Sequence, residues 1–356
     1  MTALTLTRLE GRDTPSGGLV VSGAGVGSRP LVQLYRADGS IRSQFYAFDP
    51  GFTGGVNVAL ADVNGDGVDD VIAAAGPGGG PHVKVFDGVS VGRLFDPTVP
   101  SPAVVVPLTV LDSFFAYDAG FTGGVSVAAA DVDADGRADV VTGAGPGGGP
   151  HVKVFSGASG AVIRDLFAFA PTYRGGVSVA AGRVNADAYA DIVVGSGPGI
   201  RTTVNGFDGR TGLPFFTLTP FGEFTGGANV ATARLGTSAY DHVIVGAGRG
   251  GGPRVAAFDG SVLSSLPIFS LPVGGLVPSR SFFAFDQTFT GGVTVAATDV
   301  TGDGIEDIIA GAGPGADPLL RAFNGAFVGG VPIYDVLKYK LTSDLAEYRS
   351  GVTVGA

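Results

Sequence analysis

The sequence predicts an all-β chain folded as a ring of repeated sheets. Three observations carry this. A unit recurs along nearly all of the 356 residues. Each unit holds four short apolar runs separated by Gly-, Pro- and Asp-rich turns, the pattern of strands rather than helices. No stretch keeps a helical period. The clearest copies, "FTGGVNVALADVNGDGVDDVIAAAGPGGGPHVKVF" at 52–86 and "FTGGVSVAAADVDADGRADVVTGAGPGGGPHVKVF" at 121–155, match almost letter for letter. Weaker copies begin at Tyr173, Phe224 and Phe289, and a partial one covers 19–39. The Gly that ends each "GAG"-like run falls at 25, 76, 145, 197, 248 and 313, in steps of 51, 69, 52, 51 and 65 residues. A base period near 51 with four strands per repeat is the signature of a β-propeller blade. Six four-stranded blades are expected.

Within the second copy, "VNVALA" (56–61) is strand one, "DVIAAAG" (70–76) strand two and "HVKVF" (82–86) strand three. Fourth strands are placed at "SFFAY" (113–117), "DLFAF" (165–169) and "SFFAF" (281–285). The first copy lacks a strand one, and the chain finishes in "SGVTVGA", a strand one with nothing after it. Residues 352–356 are therefore expected to complete the blade built from 19–48, which removes an open sheet edge. A rival candidate for that place is "LTLTRL" (4–9). Residues 1–18 read as a leader or tail and 19–356 as the propeller. Two insertions, near 89–110 and 261–279, separate strands three and four and are expected to cover sheet edges.

Composition narrows function. The hydrophobic fraction of 45% argues against disorder, despite 62 Gly and 22 Pro. Without Cys there is no disulfide, thiolate metal site or Cys nucleophile. The net charge of −10, with no Lys/Arg cluster, argues against a nucleic-acid partner. No apolar run reaches the length of a membrane helix, so no membrane span is expected. Residues 1–18 lack the apolar core of a secretory signal.

Twelve of the 32 acidic residues fall in three nine-residue loops between strands one and two. These are "DVNGDGVDD" (62–70), "DVDADGRAD" (131–139) and "DVTGDGIED" (299–307). Oxygen-bearing residues at positions 1, 3, 5 and 9 of a Gly-containing turn suit Ca²⁺, as in the first part of an EF-hand loop. The EF-hand's Glu at position 12 is missing, since Ala73 stands there. The candidate ligands are Asp62, Asn64, Asp66 and Asp70; Asp131, Asp133, Asp135 and Asp139; and Asp299, Thr301, Asp303 and Asp307. Position 7, held by Val68, Arg137 and Ile305, offers a backbone carbonyl. About three Ca²⁺ per chain are expected. Loop 183–191 has Arg183 at position 1, a guanidinium placed to pair with Asp187 or Asp191 in place of metal. Loop 234–242 has Arg234, Gly236, Ser238 and His242 at the ligand positions, and no calcium is expected there.

Other residues have plainer readings. His82 and His151 occupy one repeat position that elsewhere holds Leu31, Thr203, Arg254 or Leu319, a poor pattern for a catalytic base. Phe52, Phe121, Tyr173, Phe224, Phe289 and Tyr348 precede each Gly-Gly-like turn and fit blade-to-blade packing. The "GPGGG" segments lead into no helix, so they read as turns rather than phosphate cradles.

The repeat resembles the FG-GAP repeat, the integrin α-subunit type or VCBS-like propeller repeat. The likeness rests on "GAGPGGGP" (143–150), "AGPGGGP" (75–81) and the "DxDxDGxxD"-type loops, and covers about residues 19–356. The resemblance implies mainly structural calcium on one face, ligand contact from loops of the other face, and an extracellular or cell-surface location. "LEGRDTP" (9–15) is similar to a short segment near the start of some exported bacterial propeller proteins. The expected function is a calcium-stabilised extracellular binding or adhesion module with no catalysis of its own and an unknown protein or glycan ligand. The alternative is a propeller lectin holding glycans on the Gly-rich face, where Arg29, Arg174, Arg201, Arg249 and Arg349 lie. A polysaccharide lyase or glycosidase is the third reading, and no spare carboxylate pair or Ser/His/Asp set supports it.

Overall fold

The computed structural model describes residues 18–93, 108–265, 276–315, 319–326, 337–340 and 351–355. It contains six four-stranded antiparallel sheets. Sheet one joins β1 (Val20–Ala24), β2 (Leu31–Tyr35) and β3 (Ile41–Tyr46). Sheet two is β4 (Val56–Ala61), β5 (Asp70–Ala75), β6 (His82–Phe86) and β7 (Val110–Phe115). Sheet three is β8 (Val125–Ala130), β9 (Asp139–Ala144), β10 (His151–Phe155) and β11 (Val162–Phe167). Sheet four is β12 (Val177–Gly182), β13 (Asp191–Ser196), β14 (Val204–Phe207) and β15 (Pro214–Leu218). Sheet five is β16 (Ala228–Ala233), β17 (His242–Ala247), β18 (Arg254–Phe258) and β19 (Arg280–Phe283). Sheet six is β20 (Val293–Thr298), β21 (Asp307–Ala312), β22 (Leu319–Phe323) and β23 (Leu337–Lys340). The innermost strands of successive sheets pack side by side in a closed circle, so the molecule is a six-bladed propeller.

The last strand, β24 (Val352–Gly355), completes sheet one from the other end of the chain. It pairs antiparallel with β1, from Val21 opposite Gly355 to Ala24 opposite Val352. Gly25 N–H adds a bond to the Gly351 carbonyl at 3.0 Å. The place for which 4–9 was the rival is thus taken by β24, and residues 4–9 lie outside the described residues.

The second strands of blades two to six are buried along their whole length, as "DVIAAA" in β5 shows. Both faces of a blade pack on neighbours, so these strands read as continuous apolar runs. The core is accordingly divided between blades. One cluster joins Val21, Leu34 and Phe45 of blade one to Val58, Val71 and Phe86 of blade two. The other blade junctions carry equivalent clusters.

Fourth strands end two residues before the expected positions, at Phe115, Phe167 and Phe283. The reason is a bond out of the ladder. Ala116, Ala168 and Ala284 each donate N–H to the carbonyl of Pro81, Pro150 or Pro253 in the turn between strands two and three, at 2.8–2.9 Å. The following aromatic then swings towards the next blade. Tyr117 packs edge-on to Phe121, Phe169 to Tyr173 and Phe285 to Phe289. The insertions begin with one-turn helices, α1 (Gly88–Arg93) and α2 (Gly260–Ser265). Their side chains Val91 and Leu263 are buried in the clusters between blades one and two and between blades four and five. Residues 94–107 and 266–275 lie outside the described residues.

One glycine position shows why the "GG" turns recur. Gly55 has φ +76°, and a Cβ there would stand 2.6 Å from the Gly25 carbonyl carbon of the preceding blade. Only a residue without a side chain takes this conformation at so close an approach. Gly124, Gly176, Gly227, Gly292 and Gly351 repeat the positive φ.

Candidate metal centre

The acidic loops lie where the innermost strand turns back into strand two, and their shape follows from side-chain-to-backbone bonds. In loop 62–70, the Asp62 carboxylate accepts N–H bonds from Gly65, Asp66 and Gly67 at 2.7, 3.1 and 2.8 Å. Asn64 Oδ1 accepts from Asp66 N–H at 2.8 Å, and Asp66 Oδ1 from Val68 N–H at 2.9 Å. Loop 299–307 repeats this. Asp299 accepts from Gly302, Asp303 and Gly304, and Asp303 accepts from Ile305 at 2.9 Å. In loop 131–139, Asp131 accepts from Asp135 and Gly136, Asp133 from Asp135, and Asp135 from Arg137. The side chains at positions 1, 3 and 5 thus curl around one small space. Oxygens of Asp131, Asp133 and Asp139 lie within 4.8 Å of one another.

Position 9 has a second task that sequence reasoning missed. Asp70 is fully buried and accepts N–H bonds from Val63, Asn64 and, across the blade, Gly88. Asp139 does the same with Val132, Asp133 and Gly157. Asp307 does so with Val300, Thr301 and Gly325. Each clamps the acidic loop to the turn that follows strand three. The signal was present: Asp191 keeps position 9 where Arg183 has replaced position 1, and it too accepts from Val184, Asn185 and Gly209.

Burial pushes these clamps up. Asp139 is raised to about 6 by burial, with a contribution from the Asp133 charge. Asp70 is raised by burial and by Asp66, and Asp307 by burial. Clustered carboxylates that resist ionisation are what a bound cation would relieve. The donor set is hard oxygen throughout, which fits Ca²⁺.

The substituted loops behave differently. Arg183 bonds the Asp187 backbone carbonyl at 3.2 Å rather than a carboxylate, because Asp191 is already saturated by backbone donors and Asn185 Nδ2. In loop 234–242, His242 is buried at position 9 with Asp259 Oδ2 at 4.0 Å.

The repeated histidines sit between aromatic rings. His82 lies between Phe48 and Phe115, and His151 between Tyr117 and Phe167. Their Nε2 atoms meet Ser113 at 2.8 Å and Asp165 at 2.6 Å. The aromatics before the Gly-Gly turns lie on glycine: a Cβ at Gly54 or Gly79 would strike the Phe52 ring. Two arginines of the Gly-rich face are tied down. Arg174 bonds the Pro171 and Tyr173 carbonyls, and Arg201 pairs with Glu223 at 2.8 Å. Tyr348 and Arg349 lie outside the described residues.

A central channel of about 140 Å³ runs between the innermost strands. Six of its polar residues, one from each innermost strand, form a closed circuit: Asn57, Ser126, Ser178, Asn229, Thr294 and Thr353. Asn57 donates to Val125 O, Ser126 to Val177 O, Asn229 to Val293 O, Thr294 to Val352 O and Thr353 to Val56 O, at 2.6–2.9 Å. Ser178 Oγ accepts from Val230 N–H at 3.0 Å. The signal was the polar residue inside each "VxV" or "AxV" of strand one.

These features define a six-bladed β-propeller with acidic loops between its first and second strands. Residues 123–163 match the family described as FG-GAP repeat, which with the six blades supports an FG-GAP-type propeller. No curated protein matches the chain. Among solved structures it is similar to the Dos1 propeller, at 12% identity and TM-score 0.45, covering 92% of this chain and 70% of that one. It is also similar to an Agrocybe aegerita lectin described as recognising non-reducing terminal N-acetylglucosamine, at 15% identity and TM-score 0.45, covering 96% of each chain. Among the described residues, no helix is long and apolar enough to cross a membrane.

Proposed function

We propose that the chain is a calcium-stabilised extracellular binding or adhesion module without catalysis of its own. The observation that carries this is the oxygen cluster of Asp131, Asp133 and Asp139, within 4.8 Å, in a loop that two other blades repeat. Asp62, Asn64, Asp66 and Asp70 would hold one ion, Asp131, Asp133, Asp135 and Asp139 a second, and Asp299, Thr301, Asp303 and Asp307 a third. Val68, Arg137 and Ile305 would each add a carbonyl. Such ions cross-link strand one to strand two and supply no reacting group. The absence of a catalytic role is supported by His82 and His151, whose rings are held between aromatic side chains. Millimolar extracellular calcium suits sites of this class, with dissociation constants of about 0.1–1 mM.

The test is a screen of glycans and matrix proteins, run with calcium and with chelator, on full-length protein. Calcium-dependent capture of a protein or glycan without turnover supports the module. Turnover of a polysaccharide would overturn it.

A further inference from the structure

The repeat lets each inter-blade groove be compared with its equivalents. On the side of the acidic loops, a groove opens between the fourth strand of one blade and the turn after strand three of the next. Most such grooves are filled by the chain itself. Between blades three and four, Arg164 crosses over and donates Nε to the Gly209 carbonyl at 2.9 Å and Nη2 to the Arg210 carbonyl at 2.8 Å. Between blades five and six, Arg280 donates to the carbonyls of Asn324, Gly325 and Ala326 at 2.7, 3.1 and 2.8 Å. Val91 of α1 and Leu263 of α2 fill the junctions one–two and four–five.

The junction between blades two and three is different. The ladder places Asp112 opposite Val85, the position that Arg164 holds opposite Val154 and Arg280 opposite Ala257. A carboxylate therefore faces the turn whose carbonyls receive a guanidinium elsewhere. A cavity of about 330 Å³ remains, lined by Asp112, Phe114, Arg137, Phe155, Gly157 and Ala158. This size lies within the range of ligand pockets, about 300–1,000 Å³. Among the described residues, no hydrogen bond reaches the Gly157 or Ala158 carbonyl. Asp112 Oδ1 accepts from Ser113 N–H at 2.7 Å, while Oδ2 faces Gly160, 3.8 Å from where a Cβ would stand. Arg137 is exposed and lies against Gly65 of the neighbouring acidic loop, its Nε 3.3 Å from a Cβ built there. It makes no ion pair with Asp112.

We infer that this groove is a receptor for an arginine side chain presented by a partner polypeptide. The guanidinium would take the place that Arg164 and Arg280 occupy in their own junctions. It would donate to the Gly157 and Ala158 carbonyls and to Asp112, with its methylenes against Phe114 and Phe155. A planar fork of donors matches paired carbonyls and a carboxylate better than an ammonium does. The inference extends the binding role proposed above, but it rests on the groove alone and uses no metal.

The probe is acetyl-Ala-Arg-Ala-amide, titrated into the full chain by calorimetry and in the presence of chelator, with the lysine analogue and N-acetylglucosamine in parallel. The arginine peptide is expected to bind saturably, and more tightly than the lysine peptide. Asp112→Asn should weaken it by about tenfold or more. Asp112→Arg should abolish binding and raise the melting temperature, because the chain then fills its own groove. Undiminished peptide binding to Asp112→Arg would overturn the inference, as would a saccharide binding there while the peptide does not. Calcium-dependent stability would survive either failure, so the two readings fail separately.

Discussion

Single residues depart from their repeats in ways that can be measured. Ala134 has φ +61°, the left-handed conformation that Gly65 and Gly302 adopt at the same loop position. A Cβ in that region costs about 1–2 kcal/mol. Ala134→Gly is therefore expected to raise stability by up to about 1 kcal/mol after its greater unfolded-state freedom is counted, read by denaturant unfolding. His242 replaces the clamping aspartate of the other blades. Burial pushes its imidazole below the ordinary value; Asp259 pulls it back up and Arg280 pushes it further down. The folded state thus prefers the neutral ring. The unfolded chain gains a proton first as pH falls, so this contribution to stability is present above about pH 6.5 and lost below it. The melting-temperature difference between wild type and His242→Gln should shrink from pH 8 to pH 5. A constant difference would refute this account. Such exchanges were visible as letters, but their burial was not, because a single letter does not report which turn packs against it.

At the level of elements, the acidic loop is one object with two functions. Positions 1, 3 and 5 form the candidate ion site, and position 9 ties the loop to the next turn. Their removal should have separable effects. At tenfold calcium excess each occupied site adds about 1.4 kcal/mol. Asp66→Ala and Asp135→Ala should each lower the calcium-dependent rise in melting temperature and leave the calcium-free value little changed. An unaltered calcium response in the double variant would rule out both sites. Asp191→Ala, in the loop where Arg183 stands, should instead lower stability equally with and without calcium, since it orphans three N–H groups, two of them buried. The strands themselves were legible from alternation and turns; "VNVALA" is β4 to the residue. Fourth strands end two residues earlier than the local pattern predicts, because the Ala–Pro bond that ends them joins segments more than thirty residues apart in blade two and is not a local signal.

For the whole molecule, closure was readable because a strand-one sequence stood without its blade at one end of the chain and a blade without its strand one at the other. The circuit of polar side chains around the channel was not read, although every copy carried it. Its logic appears only when six innermost strands are brought within reach of one another. Thr353 belongs to this circuit and also bonds the Gly23 carbonyl at 3.2 Å. Thr353→Val would leave the Val56 carbonyl without its donor and should cost about 1–3 kcal/mol. Deleting 352–356 removes a whole strand from blade one and should lower the melting temperature far more, as calorimetry would read.

The pairing of β24 with β1 also decides how the ring answers to load. Val21 faces Gly355, so the beginning of β1 and the finish of β24 leave the sheet at one corner. Tension drawn between those two points would strain the ladder one rung after another, as a zip opens, instead of shearing all rungs together. Held from both sides of that corner, the ring would part at low force with every other blade intact; held from one side only, the seam would carry no tension.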